Sequence, residues 1–322
     1  MSTSLYTRHE RSYHGNRFVY PVLSRRSGGI SVGVNLNPDK VCNFDCIYCQ
    51  VDRRSSVETQ FVDLERLLSE LEATLTMVLD GSLYDDPKFA AVEPRLRRLN
   101  DIAFSGDGEP TTYRNFDEIV ERCAEVKRRV GADAAKMVLI TNASMLHRPH
   151  VRRGLEILDA NRGEIWGKLD TGTEAYFQEV DRTKFHLSAI VANLTEAAKV
   201  RPIVIQSLFL RIHGVSPSEA ERAAYCDRLN EITAAGGKID RVQIYTVARQ
   251  TTEAYATPLS DAEIDDWVAV VRERTGLQVD GFYGVAAVAE ETEPQETTNE
   301  DAAAVSKIDS IDGPTARGES TS

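Results

Sequence analysis

The sequence predicts an α/β fold in which a parallel sheet is covered by helices. Three observations carry this. Apolar strand-like runs alternate with segments of helical period. Six such β–α units fit within about 250 residues. The 322-residue chain is 42% hydrophobic, enough to bury a sizeable core. Six units suit either a doubly wound sheet or an incomplete (β/α) barrel. In both, ligands collect at the C-terminal ends of the strands.

The elements follow in order. Ile30–Leu36 is the first strand run. Leu64, Leu67, Leu68, Leu71, Leu75 and Val78 repeat at helical spacing, and Gly81 can close that helix. Ile102-Ala103-Phe104 is the second strand, followed by a helical stripe of Ile119, Val120, Cys123, Val126 and Val130. Met137–Ile140 is the third strand, and Pro149 opens a helix carrying Val151, Leu155 and Leu158. Ile165–Leu169 is the fourth strand, with a helix expected over Phe185–Ala198. Ile203–Leu210 is the fifth. Ser216-Pro217-Ser218-Glu219 reads as a capping box with proline at the first helical position, and that helix ends near Gly236-Gly237. Val242–Tyr245 is the sixth strand. Ser260-Asp261-Ala262-Glu263 is a second capping box, opening a helix with Ile264, Trp267, Val268 and Val271 on one face and Gly276 at its end.

Charge divides unevenly. The net charge is −12, of which residues 287–322 hold nine acids and two bases, or −7. This Glu-, Thr-, Ala- and Ser-rich stretch has no aromatic residue and is expected to be disordered. Residues 1–29 read as a flank and 30–286 as the core domain. The core is only mildly acidic, which leaves nucleic-acid binding possible but unsupported. Residues 1–54 hold eight bases and four acids, and Arg25-Arg26 and Arg53-Arg54 bracket the cysteine-rich loop described next. That is either a solvated face or a contact for an anionic substrate. No apolar run is long enough for a membrane helix, and the first residues lack a signal-type apolar stretch. A cytoplasmic location is expected.

In that setting five cysteines favour metal or redox chemistry over disulfides. Cys42, Cys46 and Cys49 form a C-x3-C-x2-C run directly after the first strand. One loop can turn three soft thiolates toward an iron–sulfur cluster or zinc. A cubic cluster held by three cysteines leaves one iron open to substrate or cofactor. A structural zinc wants a fourth ligand, and the nearest histidine, His14, lies 28 residues upstream. Cys123 and Cys226 read as inert core residues. His147, His150, His186 and His213 have no catalytic spacing.

After the second strand, Ser105-Gly106-Asp107-Gly108-Glu109-Pro110 sets glycines beside a carboxylate. Such a turn permits close backbone approach, and the carboxylate can accept from an ammonium group. Thr141-Asn142 ends the third strand. Lys168, Leu169 and Asp170 end the fourth. Gln206, in an apolar strand, needs either a structural partner or a ligand, as do Tyr245 and Arg249.

The cysteine spacing, with Tyr48 before the last cysteine, resembles the signature of radical S-adenosylmethionine (radical SAM) enzymes. The resemblance implies a partial (β/α)6 TIM-like barrel. It implies a [4Fe–4S] cluster held by Cys42, Cys46 and Cys49, with the cofactor chelating the fourth iron. The reduced cluster would cleave S-adenosylmethionine to methionine and a 5′-deoxyadenosyl radical that takes hydrogen from a substrate. Gly-x-Gly-Glu-Pro is similar to the family's glycine-glycine-glutamate motif, with Asp107 interposed. Cofactor contacts are thereby expected from Tyr48, Gly106, Gly108 and Glu109, and from Asn142, Lys168, Asp170 and Gln206. A flavodoxin or ferredoxin is the expected electron donor. Within the superfamily the chain looks most like uncharacterised proteins grouped with wybutosine-type tRNA-modifying enzymes, on Cys-Asn-Phe-Asp-Cys-Ile-Tyr-Cys-Gln, Gly-Glu-Pro-Thr, and Lys168-Leu169-Asp170 followed by Asp181-Arg182. Other readings are a radical activase of a protein partner and a zinc-binding interaction module.

Overall fold

A computed structural model of the chain describes residues 13–24, 28–53, 61–249 and 251–284. The expected acidic tail, Arg25, Arg26 and Arg54 lie outside these residues.

One eight-stranded sheet organises the structure. Its strands are β1 (Val19–Ser24), β2 (Gly29–Val34), β3 (Leu99–Phe104), β4 (Lys136–Thr141), β5 (Gly163–Lys168), β6 (Ile203–Leu208), β8 (Ile239–Tyr245) and β10 (Val279–Phe282), in that spatial order. From β2 to β10 every neighbouring pair is parallel. A two-stranded antiparallel sheet, β7 (Leu210–Ile212) with β9 (Ala256–Pro258), sits apart.

The helices follow the strands as expected of β–α units: α1 (Leu64–Asp80), α2 (Phe116–Arg129), α3 (Pro149–Ala160), α4 (Glu174–Asp181), α5 (Leu187–Val200), α6 (Glu219–Ala234) and α7 (Asp261–Thr275). Side chains alternate across the strands. Ile30, Val32, Ile102, Phe104, Met137, Leu139, Ile165, Ile205, Val242 and Ile244 join the main core with the helical stripes. Ala103, Val138, Trp166 and Val204 form a smaller cluster of their own. The parallel strands thus have one continuously apolar face and one mixed face.

All six predicted strands are present, and the structure adds two to the sheet. β1 pairs antiparallel with β2, Pro21 opposite Val32. Proline argues against a central strand but is tolerated at an edge, where a missing N–H costs no ladder bond. β10 is short and contains Gly281, so its propensity signal is weak.

Gly81 and Gly276 close α1 and α7 in the left-handed region, at φ 87° and 69°. Ser260 and Glu263 form a complete capping box. The first capping box is corrected. Ser218, not Ser216, caps α6, and its side chain accepts from Glu221 N–H at 3.1 Å. Ser216 instead donates to Glu263 at 2.6 Å, and Pro217 precedes the cap. The helix expected over Phe185–Ala198 runs from Leu187 to Val200, and α4 before it was not foreseen.

Candidate active site

Cys42, Cys46 and Cys49 lie on the loop after β2, at the C-terminal end of the sheet. That loop is docked on the end of α4. A helix leaves its last carbonyls without intrahelical partners. Here Val180 and Asp181 carbonyls accept from the N–H groups of Ile47 and Asp45, at 2.9 and 3.2 Å. Phe44 packs edge-on against Phe177, with ring centroids 5.8 Å apart. Arg182 donates to the Asp45 carbonyl at 2.6 Å, and Thr183 to the Asn43 carbonyl at 3.1 Å. Within the loop, Cys49 N–H donates to the Cys46 carbonyl at 2.9 Å.

All three thiols line one cavity of about 370 Å³. Burial pushes the Cys42 and Cys46 thiols above their ordinary range. Among the described residues, no three His, Cys, Asp or Glu side chains are gathered to hold a single metal ion.

The glycine turn after β3 forms the next wall. Gly106 and Gly108 line the cavity, and their lack of a side chain is used for packing. A Cβ on Gly106 would collide with the Asn35 side chain, and one on Gly108 with the Val41 carbonyl. The turn therefore lies directly against the stretch leading into the cysteines.

Glu109 is 3% exposed. One carboxylate oxygen accepts from Thr141 Oγ1 at 2.7 Å, Thr111 N–H at 3.1 Å and the Thr111 hydroxyl. The other accepts from Asn142 N–H at 2.7 Å. Burial pushes this carboxyl up while the hydrogen bonds from Thr111, Thr141 and Asn142 pull against it. Asn142 extends the network, donating to Asn43 Oδ1 at 2.8 Å, and Asn43 donates to Ser144 Oγ at 2.8 Å. The β3 turn, the end of β4 and the cysteine loop are thus joined by one chain of hydrogen bonds.

The opposite wall is charged. Tyr48 donates to Asp170 Oδ2 at 2.5 Å. Lys168 Nζ lies 3.2 Å from Asp170 and donates to Tyr245 OH at 2.9 Å. It also stands 4.9 Å from the Tyr48 ring centroid and 5.3 Å from that of Tyr245. Burial works against the Lys168 ammonium, but Asp170 and Tyr245 outweigh it and hold it charged. Asp181 accepts from Cys46 Sγ at 3.2 Å and from Tyr48 OH at 3.4 Å. Burial, with Asp170 adding to it, pushes the Asp181 carboxyl well up.

Of the expected contact residues, Tyr48, Gly106, Gly108, Glu109, Asn142, Lys168 and Asp170 all line the thiol cavity. Gln206 is not among the lining residues; its amide donates to Gln243 Oε1 on β8 at 2.9 Å. The polar residue in an apolar strand has a structural partner. Sequence reasoning did not single out Ser144, Asp101 or Trp166, and used Asn43 and Asp181 only as resemblance cues. Nothing in local pattern marks Ser144 or Asp181, which meet the loop across long sequence separations.

Comparison with solved structures decides the fold. A radical SAM methyltransferase from Sphaerobacter thermophilus superposes with a TM-score of 0.56 at 13% identity, covering 82% of this chain and 69% of that one. The chain shares the fold of that structure, a partial TIM-like arrangement of a parallel sheet and helices. The six central β–α units accord with it. No family model matches the chain. Among curated proteins, it is 25% identical over 248 residues to a UPF0026 protein of Helicobacter pylori, covering 76% of this chain and 70% of that one. It is 23% identical over 269 residues to a protein of Brachyspira hyodysenteriae named GTPase Obg. The chain spans 35% of that protein's length. No helix among the described residues is long and apolar enough to cross a membrane.

Proposed function

We propose that the chain is a radical SAM enzyme that holds one [4Fe–4S] cluster through Cys42, Cys46 and Cys49 and binds S-adenosylmethionine in the adjoining cavity. The observation that carries the proposal is the presence of three thiols of one loop on a single cavity, flanked by the polar ends of β3, β4 and β5. The donor set fits. Thiolates are the ordinary ligands of such clusters, and a cubic cluster takes each on a different iron, so the thiols need to face one space rather than one point. Bound there, the cluster would supply one electron to the sulfonium and so release a 5′-deoxyadenosyl radical.

The chain's own residues have separate tasks. Val180, Asp181 and Arg182 hold the thiol loop in place. Gly106 and Gly108 let the β3 turn close on the approach to that loop. Glu109 and Asn142 fix the rim of the cavity, and Lys168 with Asp170 offers a charged pair to the polar parts of a bound nucleoside. Trp166 and Tyr20 add aromatic surface for a substrate. A small redox protein such as a flavodoxin or ferredoxin is the proposed reductant, and the cytoplasm the proposed location.

Anaerobic reconstitution tests this. Brown protein with iron and sulfide in the ratio of a [4Fe–4S] centre, forming 5′-deoxyadenosine only with reductant, is expected. Replacing all three cysteines by alanine should remove both. Colourless protein carrying one zinc, or deoxyadenosine formation that survives the triple change, would overturn it.

A further inference from the structure

We propose that Arg53 sets the reduction potential of the cluster held by Cys42, Cys46 and Cys49, an inference that rests on the function proposed above. Arg53 lies four residues after Cys49 and lines the same cavity. Its Nη2 is 3.6 Å from Cys49 Sγ. Its Nη1 donates to the carbonyl of Lys40, two residues before Cys42. One planar group therefore ties the two ends of the thiol loop together. Lys40 itself adopts the left-handed conformation at φ 61°, which is uncommon for a residue with a side chain. Arg53 Nε is buried with no hydrogen-bond partner, so the guanidinium keeps a spare donor at the site.

The physical consequence concerns the added electron. Reduction makes the cluster more negative. A fixed cation within hydrogen-bond reach of a ligating sulfur stabilises the reduced form more than the oxidised form and raises the potential. The charges on the far side of the loop are mixed: Asp181 touches Cys46, while Lys168 is neutralised by Asp170. Arg53 is the cation at Cys49. Its rigid fork donates to a carbonyl and a sulfur at once, which the point charge of lysine does not reproduce.

Potentiometric titration followed by electron paramagnetic resonance tests this on the full-length reconstituted protein, with no turnover needed. Arg53→Met should load the cluster and titrate at a more negative potential. Poised at the wild-type midpoint, its reduced-to-oxidised ratio should fall about tenfold, equivalent to about 59 mV for one electron. Arg53→Lys should fall between the two. A midpoint in Arg53→Met equal to wild type, at equal iron content, overturns the inference. If Arg53→Met does not load, Arg53→Gln against Arg53→Lys decides. The glutamine variant should be the more negative, and equal midpoints overturn the inference. Wild-type protein that takes up no cluster would instead overturn the function on which this depends.

Discussion

Tyr48 and Asp170 lie 122 residues apart in sequence, yet the phenol donates to the carboxylate at 2.5 Å in a buried setting. The bond links the cysteine loop to the end of β5. Asp170 also accepts from Leu208 N–H at 2.7 Å and neutralises Lys168, so three elements depend on one carboxylate.

The two partners should therefore differ under substitution. Tyr48→Phe removes one donor to a charged group and should cost about 1.5–3 kcal/mol. Asp170→Ala leaves the Lys168 charge buried without its counter-ion and should cost about 3–5 kcal/mol. The two changes should be non-additive because they share one network. Urea unfolding of the single and double variants checks both the order and the coupling.

Glu109 offers a sharper chemical test. Four donors converge on its two oxygens. Glu109→Gln preserves shape but turns an NH2 group toward one of those donors. A loss of about 1–3 kcal/mol is expected despite the near-isosteric change. An unchanged unfolding midpoint would show that the network is dispensable to the fold.

Gly108→Ala should displace the stretch entering the cysteine loop, because the new Cβ meets the backbone carbonyl of Val41 rather than a side chain that could move aside. Overpacking of this kind costs about 1–3 kcal/mol. Thermal denaturation measures the stability loss, and iron content after reconstitution, expected to fall, reports on the loop. Gly131→Ala is the contrast. A Cβ there meets nothing within 4 Å, so its cost comes only from the left-handed backbone at φ 75°.

Acid should weaken the α7 end of the fold through Glu263. Burial pushes this carboxyl up, but the hydroxyls of Ser216 and Ser260, the Ser260 N–H and Arg211 outweigh it and hold it at about 2. A carboxyl whose folded value lies below its ordinary value of 4.5 adds stability that is full above 4.5 and is lost as pH falls toward 2. Stability measured by urea unfolding across that window should fall more steeply in wild type than in Glu263→Gln.

The cap at the same place is separable. Ser260→Ala removes the acceptor for Glu263 N–H and one donor to its carboxylate, and should cost about 1 kcal/mol. The same substitution at Ser216 leaves α6 capped by Ser218, so a loss there reports on the Glu263 bond alone.

By itself, the sequence determined the alternation of six strands with helices, the stops at Gly81 and Gly276, the cap at Ser260, and the spacing that puts three thiols on one loop. These are local properties: period, capping chemistry and residue spacing act over a few residues. The tertiary structure alone decided what depends on register and distant approach. It placed β1 at the edge despite Pro21, moved the α6 cap from Ser216 to Ser218, and formed α4 to receive the cysteine loop on its terminal carbonyls. It paired Gln206 with Gln243 and Tyr48 with Asp170, and brought Asp181 to Cys46. A buried polar group must find a partner, but its sequence neighbours do not say which strand will supply one. That choice is made only when the sheet fixes which side chains face each other.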